Sequence, residues 1–121
     1  MKKPLTQEEL DAIRGGSFGG FRLEAQDDWH PCGDEVDDGE SNMTVVCART
    51  ANGDFSGSVE FVHQKGRLRA CNLEVSIKRS GVGTFMYVFA ESVTGMTAVP
   101  HEEQSIEGQA FWSQPNRPFG R

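Results

Sequence analysis

The sequence has 121 residues, of which 36% are hydrophobic and 25% charged, and its formal net charge is −6. These proportions are typical of one globular domain. No apolar run approaches the roughly 20 residues that span a bilayer, and the N-terminus lacks the apolar core of a general secretory signal. Residues 1–64 carry thirteen acidic and five basic side chains, whereas residues 65–121 carry five and seven. This acidic excess argues against direct nucleic-acid binding, which depends on Lys and Arg, and would suit a basic protein partner.

The first predicted element is a short amphipathic helix in residues 5–16, LTQEELDAIRGG. Thr6 is a preferred N-cap residue, and Glu9 stands three positions later to complete a capping box. Leu5 and Leu10 occupy the two positions of a hydrophobic staple. A helix this short is marginal alone in water, so it needs a surface to pack on, within the chain or on a partner.

Seven positions of this stretch carry a family pattern, namely Leu5, Thr6, Glu9, Leu10, Ile13, Gly15 and Gly16. Position by position they resemble the double-glycine leader of bacteriocin and microcin precursors. The resemblance implies that a peptidase-containing ABC transporter reads the apolar helix face and cuts between Gly16 and Ser17. Residues 1–16 would then be the leader and residues 17–121 a secreted cargo. Residues 5–13 are also similar to the peptide with which flagellar motor switch proteins bind a response regulator.

An acidic surface loop is predicted at residues 27–40, after a short strand at residues 21–25. The loop holds seven acidic side chains and no periodic apolar pattern. The pattern of calcium-binding loops fails, because Val36 and Val45 fall where ligands must stand. We interpret the loop as a candidate contact surface for a basic partner, carried by Asp27, Asp28, Trp29, Asp34, Glu35, Asp37 and Asp38.

Antiparallel strands are predicted next, at residues 42–48, 58–64 and 67–79. The turns between them contain Asn52-Gly53 and Lys65-Gly66, which are residue types that favour tight hairpins. The apolar residues of the third strand change parity midway, and this change predicts a bulge near residues 70–72.

The C-terminal third is predicted to hold two more strands, at residues 84–92 and 105–113. The first is rich in aromatic and β-branched residues, although its spacing leaves a helix at residues 85–94 as the alternative. A turn at residues 80–83, an irregular loop at residues 93–104 and an extended tail at residues 114–121 complete the chain. The sequence therefore predicts a mainly β fold, a small antiparallel sandwich or barrel-like meander with a short N-terminal helix. Residues 17–121 form one β-rich domain.

Cysteine and histidine spacing gives no metal-binding motif. Cys32 falls in the acidic loop, while Cys47 and Cys71 fall in strands and are interpreted as small buried residues; a Cys32–Cys47 disulfide stays open as an option after export. His63 shares a strand face with apolar residues, which indicates a partly buried, hydrogen-bonded histidine. We find no nucleophile motif or phosphate-binding loop, so we expect a non-enzymatic protein without cofactor, metal or catalytic residues.

Two groups of surface residues complete the candidates. Lys65, Arg67 and Arg69 share one strand parity and are interpreted as a solvated basic stripe. Trp29 would be a contact anchor if exposed, whereas Trp112 is predicted to lie in the core. The sequence therefore leaves two candidate functions. The first is a small secreted bacteriocin- or microcin-like protein, and the alternative is a cytoplasmic, non-enzymatic interaction or inhibitor protein that binds a basic surface through its acidic N-terminal half.

Overall fold

The computed structural model describes residues 5–37, 39–75, 82–100, 106–114 and 117–120. Its elements in chain order are α1 (Gln7–Arg14), β1 (Ser17–Phe18), β2 (Phe21–Asp28), β3 (Met43–Thr50), β4 (Phe55–Gln64), β5 (Arg67–Val75), α2 (Val82–Thr94), β6 (Ala98–Val99) and α3 (Ile106–Trp112). The six strands form one sheet in sequence order, curled into a half-barrel. The predicted mainly β fold with a short N-terminal helix is confirmed. Neighbouring strands are antiparallel except β6, which runs parallel to β5.

The hairpin turns and the bulge lie where they were predicted. At the β3–β4 turn the Thr50 amide donates to the Asp54 carbonyl at 2.9 Å. At the β4–β5 turn Lys65 and Gly66 both have positive φ, at 55° and 74°. The register of β4 against β5 then slips by one residue at the predicted position, which leaves Cys71 as the extra residue of a β-bulge.

Helix α2 fills the inside of the curved sheet, so the predicted strand at residues 84–92 is wrong. Met86 and Tyr87 are buried among residues of the inner sheet face, and the ring of Tyr87 meets that of Phe61 edge-on at 4.9 Å. The physical reason lies in the backbone. A helix satisfies its own N–H and C=O groups and can fill a concave sheet alone, whereas a strand would need a neighbour to pair with.

The predicted strand at residues 105–113 is also wrong, because residues 106–112 form α3. The apolar alternation that suggested a strand includes Ile106, which is 85% exposed. What anchors this segment is instead the adjacent pair Phe111 and Trp112, whose rings pack against Tyr87 at 4.9 and 5.7 Å. Both are partly buried against the core, as predicted for Trp112. Tertiary contact with α2 therefore decides the local structure.

The C-terminal tail has no helix or strand at residues 117–120, but it folds back onto the domain. Phe119 is fully buried, with its ring 4.9 Å from those of Tyr87 and Phe111. The Arg117 guanidinium donates to the carbonyls of Phe119, Trp112 and Gly120 and lies 5.0 Å from the Trp112 ring centre. The tail thus closes one end of the core.

Some sequence predictions lie partly outside the described residues. These include the end of the third long strand at residues 76–79, half of the turn at residues 80–83 and part of the loop at residues 93–104. The other half of the predicted turn, residues 82–83, is wrong because α2 begins at Val82. The described part of that loop contains the short strand β6. None of the described helices is long and apolar enough to cross a membrane.

Candidate functional site

The N-terminal helix begins as its sequence predicts. The Glu9 amide donates to Thr6 Oγ1 at 3.1 Å, and the Thr6 amide donates to Glu9 Oε1 at 3.0 Å. These reciprocal bonds form a complete capping box and satisfy two backbone donors that the first turn leaves free. The helix therefore carries its own start signal, independent of what it packs against.

The apolar face of α1 packs on the domain itself. Ile13 is fully buried within the core cluster, and Leu5 and Leu10 are partly buried against the same cluster. These are the three side chains that the leader resemblance assigns to the groove of a transporter peptidase. In the folded chain that face is already occupied, and the surface it needs is supplied internally.

The two glycines that follow the helix differ in what the fold requires of them. Gly16 has φ +88°, and a Cβ there would lie 3.2 Å from the Leu23 carbonyl oxygen and 3.4 Å from the Phe89 ring. Its carbonyl also accepts the Leu23 amide at 2.8 Å. Gly15 is right-handed, with φ −77° and ψ −5°, and a Cβ there would meet no atom closer than 3.4 Å, the Ala12 carbonyl oxygen. The fold therefore requires glycine at position 16 and not at position 15.

The acidic segment is an ordered loop fixed to the end of the β4–β5 hairpin. The amide of Asp34 donates to the His63 carbonyl at 2.7 Å, and its carboxylate accepts the amides of Lys65 at 2.7 Å and Gly66 at 3.2 Å. The hydrogen bonds of Asp34 are thus made within the chain. Asp34, one of the predicted partner-binding residues, therefore holds the loop in place through these bonds.

Asn42 holds the inner side of this loop and has no counterpart in the sequence predictions. It is buried, its side-chain oxygen accepts the His30 amide at 2.7 Å, and its Nδ2 donates to the carbonyls of His30 and Asp34. A Cβ on Gly33 would lie 2.6 Å from the Asn42 side chain, which explains the glycine there. A single polar residue before a strand carries no periodic or motif signal, so sequence reasoning had no means to find it.

The remaining acidic residues face solvent. Asp27 and Asp28 belong to the end of β2 rather than to the loop, so the predicted loop begins two residues too early. Trp29 follows them and is 61% exposed, with its amide bound to Asp28 Oδ1 at 2.8 Å. Glu35 and Asp37 are exposed as well, and Asp38 lies outside the described residues. One end of the sheet therefore presents acidic side chains beside an exposed indole ring.

Two titrating groups reflect the way the loop is held. The backbone amides of Lys65 and Gly66 stabilise the Asp34 carboxylate and lower its pKa. Partial burial lowers the pKa of His63. The negative charges of Asp34 and Asp27 raise it and offset part of this effect. His63 Nε2 shares a hydrogen bond of 2.8 Å with Thr44 Oγ1, so the prediction of a partly buried, hydrogen-bonded histidine is confirmed.

We expect Asp34→Asn to lower the free energy of unfolding at neutral pH. The asparagine side chain offers one uncharged acceptor oxygen, and its NH2 group cannot accept the second backbone amide that the carboxylate binds. The folded pKa of Asp34 is below its ordinary value of 3.8. Its contribution is therefore present above pH 4 and is lost as the pH falls through the folded pKa. Urea unfolding from pH 7 to pH 2 should show the wild type and the variant converging at the acid end.

The matched control for this prediction is Asp37→Asn, an exposed position in the same loop. It should follow the wild-type profile at every pH. A constant difference between wild type and Asp34→Asn across the whole range would contradict an electrostatic role for Asp34.

The basic stripe and the cysteines complete the described candidates. Lys65 and Arg67 are exposed and line a shallow open groove of about 450 Å³ with Gly66, Gly95, Met96 and Thr97. Arg69 is partly buried and donates to the Pro100 carbonyl at 3.1 Å.

All three cysteines are free, and Cys71 is exposed. The interpretation of Cys71 as a buried residue is therefore wrong, because the bulge turns it out of the strand pattern. Within the described ranges, no three side chains of metal-binding type cluster together.

No family model, curated protein or solved structure matches this chain.

Proposed function

We propose that the protein is a small secreted protein of the bacteriocin or microcin type, made as a precursor with a double-glycine leader in residues 1–16. The observation that carries the proposal is Gly15. The other six leader positions all have a role in the fold: Thr6 and Glu9 cap α1, Leu5, Leu10 and Ile13 pack on the core, and Gly16 takes a left-handed conformation. Gly15 caps the end of α1 through its amide, which donates to the Asp11 and Ala12 carbonyls, but any residue could do this and the fold has room for a Cβ there. A peptidase cleft that admits only side-chain-free residues beside the scissile bond would account for glycine at this position.

The burial of Ile13 sets an order of events for this proposal. A transporter peptidase cannot reach a side chain that is fully buried in the core. Leader recognition would therefore act on precursor whose α1 is undocked, before or during export, and folding of the complete chain would compete with cleavage. The acidic end of the secreted domain, with Trp29 at its edge, would be the surface offered to a basic target.

The test compares wild type with Gly15→Ala in the native host, by intact-mass analysis of cells and medium. Wild type should appear in the medium as a product that begins at Ser17. Gly15→Ala should stay full length and cell-associated. Its free energy of unfolding should equal that of wild type or exceed it by up to about 1 kcal/mol, because the right-handed backbone at this position accepts alanine without strain. Gly16→Ala is unsuitable, since its positive φ would strain the fold as well.

The matched control is Ala12→Ser, an exposed position on α1 outside the leader pattern. It should be exported and cleaved like wild type. Full-length wild type confined to the cells, or normal cleavage of Gly15→Ala, would overturn the leader proposal.

A second candidate is a cytoplasmic, non-enzymatic interaction or inhibitor protein that keeps its helix. The observation in its favour is that α1 is part of the folded domain, through buried Ile13 and the 2.8 Å bond between Leu23 and Gly16. Its binding surface would be the exposed acidic residues near Trp29, directed at a basic partner. The same mass analysis separates the two candidates, because this one requires the full-length chain inside cells.

A further inference from the structure

The outer face of the sheet, defined as the face turned away from α2, carries two of the three cysteines. Val46 and Val59 pair with each other on the inner face and lie in the core. Since strand residues alternate between faces, Cys47 and Glu60 belong to the outer face. Cys71, at the bulge, donates its thiol proton to Glu60 Oε2 at 3.8 Å, so its sulfur lies on the outer face as well.

The third cysteine reaches the same face through the acidic loop. Met43 and Val62 pair on the outer face yet are only 5% and 3% exposed, so something other than α2 must cover them. The Gln64 side chain, on the same face of β4, donates to the Cys32 carbonyl at 3.0 Å. The loop with Cys32 therefore lies over this end of the outer face.

Strand geometry decides which cysteine Cys32 can reach. Gln64 pairs with Arg67 on β5, and Cys71 lies four residues further along β5, which corresponds to roughly 13 Å. On β3, the neighbour on the other side, Cys47 lies about six residues from the level of Gln64, which corresponds to roughly 20 Å. The Gln64 side chain and its hydrogen bond place Cys32 up to roughly 8 Å from the Gln64 backbone. A disulfide needs Cα atoms within about 7 Å. Cys71 comes within this reach when the loop lies along β5 toward it, whereas Cys47 stays out of reach in every direction.

The geometry points to a redox site: Cys32 and Cys71 form a disulfide when the folded protein meets a small-molecule disulfide, and this bond fixes the acidic loop to the outer face. It is an alternative to the Cys32–Cys47 pairing and does not depend on how the protein is exported. An oxidising compartment would supply the oxidant.

The reaction proceeds as two exchanges with glutathione disulfide as oxidant. The Cys32 thiol loses its proton and its sulfur attacks one glutathione sulfur, which forms a mixed disulfide and releases one glutathione thiolate. The Cys71 thiol then loses its proton and attacks the Cys32 sulfur, which forms the protein disulfide and releases the second glutathione thiolate. Each released thiolate takes up a proton, so two electrons pass from the protein to one glutathione disulfide, which becomes two glutathione thiols.

The environment of Cys71 assigns the order of attack. Although Cys71 is an exposed residue, its thiol is partly desolvated, and this desolvation raises its pKa. The nearby charge of Glu60 and the hydrogen bond to Glu60 raise the pKa further, and the charge of the Cys32 thiolate adds to the effect. Because the thiolate is the nucleophile, Cys71 is the slower thiol and acts second. The influence of Cys32 on the pKa of Cys71 agrees with their placement on one surface.

The test is incubation of the purified full-length protein with glutathione disulfide, followed by intact-mass analysis and peptide mapping without reductant. We expect the loss of two hydrogens, a linked peptide that joins Cys32 to Cys71, and a rise in thermal midpoint of roughly 10 °C. Cys71→Ser should stop at the Cys32–glutathione adduct. Glu60→Gln should speed closure about threefold, because it removes the charge that raises the pKa of Cys71.

Cys47→Ser is the matched control and should close at the wild-type rate. Circular dichroism confirms that each serine variant is folded before it is oxidised. A link that includes Cys47, closure in Cys71→Ser, or a wild-type adduct that never closes would each overturn the proposal.

Discussion

Ile13→Ala is expected to lower the free energy of unfolding by about 2 to 4 kcal/mol, as truncation of a buried aliphatic side chain does elsewhere. Ile13 is the one residue of α1 that is fully buried, and it belongs to the same core cluster as α2 and the inner face of the sheet. The loss combines removed apolar contact with the cavity left behind. Urea unfolding followed by far-UV circular dichroism measures it.

Two further variants separate packing from helix propensity. Ile13→Val removes one methylene and should cost about 1 kcal/mol. Ala12→Ser changes the neighbouring exposed position and should cost only a few tenths of a kcal/mol. Equal stability of wild type and Ile13→Ala would mean that α1 is undocked in solution, and the proposed leader would then be accessible in the folded chain.

Glu91→Ala is expected to destabilise the domain by about 3 kcal/mol. Glu91 Oε2 accepts the amides of Ala98 at 2.7 Å and Gly120 at 2.8 Å, so one carboxylate on α2 holds both β6 and the C-terminal tail. Hydrogen bonds to a charged group contribute about 1.5 to 3 kcal/mol each, and the two amides would lose this acceptor. Urea unfolding gives the energy, and the fluorescence of Trp112, which packs beside Phe119 of the tail, reports its release.

Two control variants test the role of the Glu91 carboxylate: one keeps a hydrogen-bond acceptor at position 91, and the other changes a neighbouring residue. Glu91→Gln retains one oxygen in the same place without its charge and should lose about half as much. Ser92→Ala alters the next, exposed residue of α2 and should leave stability and fluorescence unchanged. If Glu91→Ala behaved like Ser92→Ala, the tail would be held by its aromatic contacts alone.

Stability and the proposed export make opposite demands on α1. Packing of Ile13 stabilises the complete chain, whereas cleavage after Gly16 would remove that side chain from the core. A variant such as Ile13→Val, which weakens docking while keeping an aliphatic side chain, should therefore increase the fraction of precursor that is cleaved. The intact-mass experiment on native cells would show this as a larger share of product beginning at Ser17.

Local signals were readable from the sequence wherever a few neighbouring residues decide the structure. The capping box of Thr6 and Glu9 and the tight turn at Lys65-Gly66 depend on contacts within a few positions, and the parity change in β5 marked the bulge. Each of these features appears where it was predicted. The mainly β fold class followed from the same short-range pattern.

The helix α2 and the clamped acidic loop were decided only by the tertiary structure. The apolar run at residues 84–92 fits both a strand and a helix. The concave face of the sheet is built from residues far apart in sequence, and a helix is the form in which the run is buried against that face. The hydrogen bonds of Asp34 and Asn42 join residues 8 to 32 positions apart. The sequence alone determined the capped N-terminal helix, the hairpin turns and the bulge, because those depend on neighbours along the chain. The tertiary structure alone decided that the helix covers its own domain, since burial depends on which distant surface is available.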